Sequence, residues 1–214
     1  MGKSKFFLLL AISLLLFSLS GCGMFPDYFV RIDIEPYGEL YDRGFVEIFI
    51  DGIPQISKAF EDPKEVMISV YENIPDGIEF NYWEMPDKTR YSSHTINPVI
   101  DGRKRIKAVF DVDQGVAVMG NDGKPLYGEL LTPQEAFANE ANKSIVFMPG
   151  EYNGDFDIIV PLKFVETLTG ASGTKIHGTV TVKSIGIHSF EGFTLNPDQG
   201  EPGLKFTSKL KMGK

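Results

Sequence analysis

The sequence predicts a mainly β fold, an antiparallel β-sandwich with one short helix near residues 133–141. Two observations carry that expectation. Apolar and polar residues alternate with period two through a series of short segments, as they do along strands with one buried face. The segments are separated by turn signals, and the 22 Gly and 13 Pro in 214 residues are a high share, as many short strands require.

In chain order, strands are expected at 28–34, 45–50, 66–71, 78–83, 105–112, 116–119, 144–148, 156–164, 176–182, 188–195 and 204–210. In the second, Glu47 interrupts an apolar run. In the fifth, Arg105 and Lys107 are two apart and share one face. Thr179-Val180-Thr181-Val182 is β-branched throughout, which suits a half-buried pleated surface. In the last, Leu204, Phe206 and Leu210 share one parity and Lys205 and Lys209 take the other. Asp51-Gly52, Asp76-Gly77, Asp101-Gly102 and Asn121-Asp122-Gly123 suit tight turns between strands. The helix is marked by Thr132-Pro133-Gln134-Glu135: an N-cap Thr, Pro at the first helical position and Glu three residues after the cap. No internal repeat is visible. A sandwich over residues 28–214, immunoglobulin- or transthyretin-like in outline, is the simplest arrangement, with two small β-domains split near 113–132 as the alternative.

Composition excludes several classes. Hydrophobic residues at 43% and charged residues at 23% belong to a folded chain rather than a disordered one. The single Cys excludes an internal disulfide and a thiolate zinc cluster. A net charge of −8 argues against nucleic acid, which needs clustered Lys and Arg.

The first 22 residues carry the strongest signal. Lys3 and Lys5 precede the apolar run Phe6–Phe17, followed by Leu19-Ser20-Gly21-Cys22. A basic start, an apolar stretch and small residues before a cut describe an export signal. As a helix, residues 6–20 span roughly 22 Å against the about 30 Å of a bilayer core, too short for a membrane anchor. Leu19-Ser20-Gly21-Cys22 resembles the lipobox of bacterial lipoproteins. That resemblance implies cleavage between Gly21 and Cys22 and acyl chains of the palmitate type on Cys22. Residues 1–21 would then be the signal peptide and 22–27 the lipidated Cys and a short tether. Removing 1–21 takes away two Lys and no acidic residue, so the net charge goes from −8 to −10. Gly23, where Asp commonly signals inner-membrane retention in Gram-negative lipoproteins, implies the outer membrane, facing the periplasm, in such a host.

No catalytic signature appears: G-x-S-x-G, H-E-x-x-H and the P-loop pattern are all absent. Gly170-Ala171-Ser172-Gly173-Thr174 reads as a hairpin loop. His177 and His188 flank an expected hairpin, and with His94 they are the histidines open to an envelope hydrolase. Asp111 and Asp113, and Asp155 and Asp157 after Asn153, place oxygens two residues apart, as a hard cation requires. Neither segment completes a calcium loop, and no metal or other cofactor is expected. Phe80–Tyr91 holds the sole Trp beside charged groups. Tyr82, Trp83, Arg90 and Tyr91 are therefore the candidates for a glycan or small ligand, against a reading in which the aromatics fill the core. The tail lysines Lys205, Lys209, Lys211 and Lys214 suit lipid headgroups, an acidic partner or a protected strand edge.

These readings converge on a lipid-anchored envelope protein. Its expected role is non-enzymatic, structural or accessory, through a protein partner in the envelope. Ligand binding around Trp83 is the alternative and hydrolysis the least favoured.

Overall fold

A computed structural model describes residues 26–71, 75–139, 141–168, 174–184, 189–197 and 202–206. The export-signal segment with Gly21 and Cys22, the loop 170–173, His188, and Lys209, Lys211 and Lys214 lie outside the described residues. The chain is mainly β, as the alternation predicts.

The first part runs β1 (Tyr28–Glu35), α1 (Glu39–Asp42), β2 (Glu47–Ile50), β3 (Ile53–Pro54), β4 (Ser57–Phe60), β5 (Lys64–Glu65), β6 (Ile68–Tyr71), β7 (Ile78–Glu84), β8 (Arg90–Tyr91), β9 (Thr95–Ile96), β10 (Val99–Ile100) and β11 (Arg103–Val112). Its larger sheet has the order β4-β1-β11-β7-β8 and faces the sheet β3-β2-β6-β9, while β5 and β10 form a separate ribbon. Most pairs are antiparallel, but β1 and β11 run parallel at the centre of the larger sheet. Val30, Ile32, Ile106, Ala108 and Phe110 from one sheet and Ile48, Ile50, Ile68 and Val70 from the other fill one apolar core. This is sandwich packing.

The second part runs β12 (Val116–Met119), α2 (Pro133–Ala138), β13 (Lys143–Phe147), β14 (Glu151–Asn153), β15 (Phe156–Ile158), β16 (Leu162–Thr167), β17 (Lys175–His177), β18 (Val180–Val182), β19 (Ser189–Glu191), β20 (Thr194–Asn196) and β21 (Leu204–Phe206). Here the pairing is of another kind. The triplets β13-β16-β19, β14-β17-β20 and β15-β18-β21 are each parallel, and their pairing is regular but for one shift between Lys143 and Ser144 of β13. The chain therefore winds through three successive coils with three faces, a short parallel β-solenoid appended to the sandwich. Tyr152, Ile176 and Leu195 stack down one face, and Phe156, Val180 and Leu204 down another. These side chains make up a second apolar core with Phe137 and Phe147.

The expected strands 156–164, 176–182 and 188–195 are each cut in two at a corner of a coil. Pro161 stops the first, since it has no N–H to give a ladder. Gly178 stops the second. Its φ is +135°, and a Cβ there would sit 2.3 Å from the backbone oxygen of Gly154 in the coil before. Only glycine permits both the angle and that approach. Gly192 marks the third corner.

The sheet β12-β13-β16-β19 joins the two parts. Val116, Val118, Ile145, Phe147 and Val165 face the solenoid interior, while Ala117, Met119, Val146 and Met148 belong to the sandwich core. Burial on both faces explains why β12 and the Ile145-Val146-Phe147 end of β13 read as unbroken apolar runs.

The first coil is closed on its upstream side. β12 pairs with β13. The Gln114 amide donates to Glu151 O at the edge of β14. Gln134, on α2, stands in for a neighbouring strand: its Oε1 accepts from Asp157 N at 3.1 Å and its Nε2 donates to Asp157 O at 3.2 Å. The helix occupies residues 133–138 of the expected 133–141, and its capping box is formed, with the Thr132 hydroxyl accepting from Glu135 N. Tyr152 locks the same end from within. Its buried hydroxyl donates toward the carbonyls of Gly115 and Met148 and accepts from Gly115 N.

Candidate functional site

The residues singled out around Trp83 are placed by β7 and β8, and they do not converge. The register of β7 against β11 shifts between Val109 and Phe110, which face Tyr82 and Phe80 and leave Asn81 as the extra residue of a bulge. A bulge breaks period two. Phe80 and Trp83 therefore both point into the core, with ring centroids 5.1 Å apart, and Tyr82 points out. Trp83 is 0% exposed, and its indole N–H donates to Ser93 O at 2.9 Å. The expectation that Trp83 offers a ligand-binding face is corrected: it is a core anchor with its one polar atom satisfied inside the fold.

Tyr82 and Arg90 do meet, on the outer face of the larger sheet. The Arg90 guanidinium lies 4.4 Å from the Tyr82 ring centroid and its Nη2 is 3.2 Å from Glu84 Oε2. Tyr91 is in register with Trp83 and so faces the other way. It is 47% exposed and lines a hollow of about 260 Å³ with Met85, Ser93, Thr95, Asn97 and Pro98. The four proposed ligand contacts are thus divided between the core and two opposite faces.

Charge dominates the outer face of that sheet. Glu84 is nearly buried, and Lys88 at 2.9 Å, Arg90 and Lys107 at 4.0 Å surround it. The hydrogen bond from Lys88, opposed by desolvation and aided by Arg90, holds its carboxyl below the usual range. Lys107 also reaches Glu35 at 2.6 Å, and that bond raises its own pKa.

At the opposite end of the same strands the balance is basic. Parallel pairing sets Phe29 beside Arg103 and Arg31 beside Arg105. Arg31 and Arg105 share the single carboxylate of Asp33, at 3.0 and 3.4 Å. Arg103 Nε donates to Pro26 O at 3.4 Å, and Lys104 pairs with Asp101. Pro26, Phe29 and these four cations line a hollow of about 470 Å³. This cluster was not foreseen. The run Arg103-Lys104-Arg105 is plain in the sequence, but nothing local indicates that Arg31 comes alongside.

The remaining candidates have structural partners. Asp111 accepts from the Asn81 amide at 2.9 Å. Asp155 accepts from Thr179 N at 2.7 Å across a solenoid corner, and Asp157 pairs with Lys183. Asp113 is exposed at the end of the sandwich. No group of three potential metal ligands occurs among the described residues. His94 packs on Phe80 in the sandwich, and His177 lies 3.5 Å from Glu151 on the solenoid, so these two belong to different parts of the fold. Lys205 is exposed on β21. No helix among the described residues is long and apolar enough to cross a membrane. No protein-family model, curated protein or solved structure matches the chain.

Proposed function

We propose that this protein is an exported lipoprotein, held in a cell-envelope membrane by acyl chains on Cys22, whose β body acts as a non-enzymatic accessory component through contacts with another envelope protein. The observation that carries the reading is Leu19-Ser20-Gly21-Cys22 at the end of a 12-residue apolar run, Phe6–Phe17, with the chain's sole cysteine at the modification position. The short separation between Cys22 and the start of β1 at Tyr28 supports a body carried close to the lipid surface. Two or more acyl chains give stable anchoring where one gives only marginal binding. The body offers polar, charge-studded sheet faces, which suit reversible protein contacts.

Two measurements test the parts of this reading. Cys22→Ser, or globomycin treatment, should accumulate the unprocessed precursor, and normal maturation with membrane retention of the variant removes the anchor. Crosslinking in intact envelopes followed by pull-down should recover a reproducible protein partner. Recovery of this chain alone removes the accessory role.

A further inference from the structure

We propose that the cleft between the sandwich and the solenoid, lined by Phe164, binds a neutral oligosaccharide. This goes beyond the accessory role above and does not depend on the anchor at Cys22. The backbone sets the position of the ring. Lys143 pairs with Leu162 and Ser144 with Phe164, so Lys163 is the extra residue of a bulge in β16. A bulge re-aims the side chains around it. Ser144 shares a parity with Val146, which packs in the sandwich core, so its neighbour Phe164 turns to the sandwich side as well. The sandwich does not extend far enough to cover it. Phe164 is 46% exposed and belongs to neither apolar core. The ring lines a hollow of about 360 Å³ instead. That volume falls among small-ligand sites, which run from about 300 to 1,000 Å³ and favour the junction of two structural units.

Two cross-ties hold the walls together. Arg43, which follows α1, donates to Glu166 on β16, and Lys163 donates to Asn121 Oδ1 at 3.0 Å. Asp42 and Ser144 also line the hollow, and the turn at Gly120 and Gly123 brings only backbone to it. The charges of the lining balance, Asp42 and Glu166 against Arg43 and Lys163. A balanced lining exerts no net pull on an ion, and walls this polar do not suit a wholly apolar ligand. A sugar meets both conditions. Its hydroxyls donate to the carboxylates and accept from Lys163 and the part-exposed Arg43, so groups of either sign are used. The negative face of the Phe164 ring attracts the polarised C–H groups on one side of a pyranose. One aromatic platform ringed by donors and acceptors thus matches the two surfaces of a sugar ring.

The test uses the full-length protein in a zwitterionic detergent without sugar headgroups. Chitotriose, cellotriose and maltotriose are titrated at millimolar concentrations by calorimetry and by saturation-transfer NMR. At least one should bind, with magnetisation passing from aromatic protons to the sugar, and high salt should leave the affinity unchanged. Phe164→Ala should weaken binding by about tenfold while the urea midpoint stays that of the wild type, because the ring supports neither core. Phe164→Tyr should retain binding, and Asn121→Ala, an exposed change, should weaken it severalfold. Tyr91→Ala, on the other exposed hollow, should have no effect. Failure of all three sugars to bind overturns the proposal, as does binding that survives both Phe164→Ala and Asn121→Ala. Binding confined to acidic oligosaccharides and abolished by salt overturns it too. So does a Phe164→Ala variant that loses a crosslinked protein partner but no sugar, which would make the cleft a protein contact.

Discussion

The sandwich and the solenoid solve the same burial problem in different ways. In the sandwich, strands such as β11 bury one face: Ile106, Ala108 and Phe110 point in, and Arg103, Arg105 and Lys107 point out. Most of its strand pairs are antiparallel. In the solenoid, strands are three to six residues long and their partners are a full coil away in sequence. Leu162 follows its partner Lys143 by 19 residues, whereas Phe190 follows Val165 by 25. A sandwich sheet is specified largely by alternation along each strand. A coil is specified by its corners and by what stacks above and below it.

The comparison can be broken or sharpened by substitution. The largest effect is expected from Trp83→Ala in the sandwich core, a loss of about 3–5 kcal/mol as for other buried aromatics. Because Met119, Val146 and Met148 of the joining sheet share that core, chemical denaturation should lower one cooperative transition seen by both far-ultraviolet circular dichroism and Tyr fluorescence. Two separated transitions would instead favour a split near 113–132.

Gly178→Ala strikes the solenoid alone. The positive φ and the overlap with Gly154 together are expected to cost about 2–4 kcal/mol. Hydrogen exchange should rise first in β17, β18, β20 and β21 while β1 and β11 stay protected. Uniform loss of protection would show that the coils have no local stability of their own.

Gln134→Ala removes the side-chain amide that closes the edge of β15, for about 0.5–1.5 kcal/mol. Exchange at Asp157 N should quicken more than at Val180 N, one coil further in. Equal change at both would mean that the amide is not a cap.

Acidification should have the smallest and most even effect. Glu84 in the sandwich is held low first by Lys88, and Glu151 in the solenoid first by Lys175. Asp51 is held low as well: desolvation pushes it up, but hydrogen bonds from Lys64, Lys58 and Met67 N outweigh it. Folded pKa values below the unfolded ones stabilise fully above the unfolded values. That contribution fades as pH falls below about 4 and through the folded values. Urea midpoints measured from pH 7 to pH 3 should therefore fall at the acid end, and a rise there would contradict these pairs.

Particular residues show where reading from sequence succeeds. The capping box at Thr132 and Glu135 was legible because every participant lies within four residues. Alternation placed β1, β2, β6, β7 and β11 within one or two residues at most of their ends. It failed at Trp83, because the bulge at Asn81 is decided by the partner strand β11 and not by β7 itself. It also missed the solenoid, because offsets between 19 and 25 residues leave no fixed period to detect, although Pro161, Gly178 and Gly192 already interrupted the longer strands.

The sequence by itself determined the β-rich class, the helix start and the export-signal resemblance ending at Cys22, since each depends on neighbours along the chain. Only the tertiary structure decided that the second half winds in parallel coils, that Trp83 is a core residue, and that Arg31 lies beside Arg105. Each of these depends on which distant strand supplies the partner, and hydrogen-bond register and shared burial fix that choice only once the whole chain is packed.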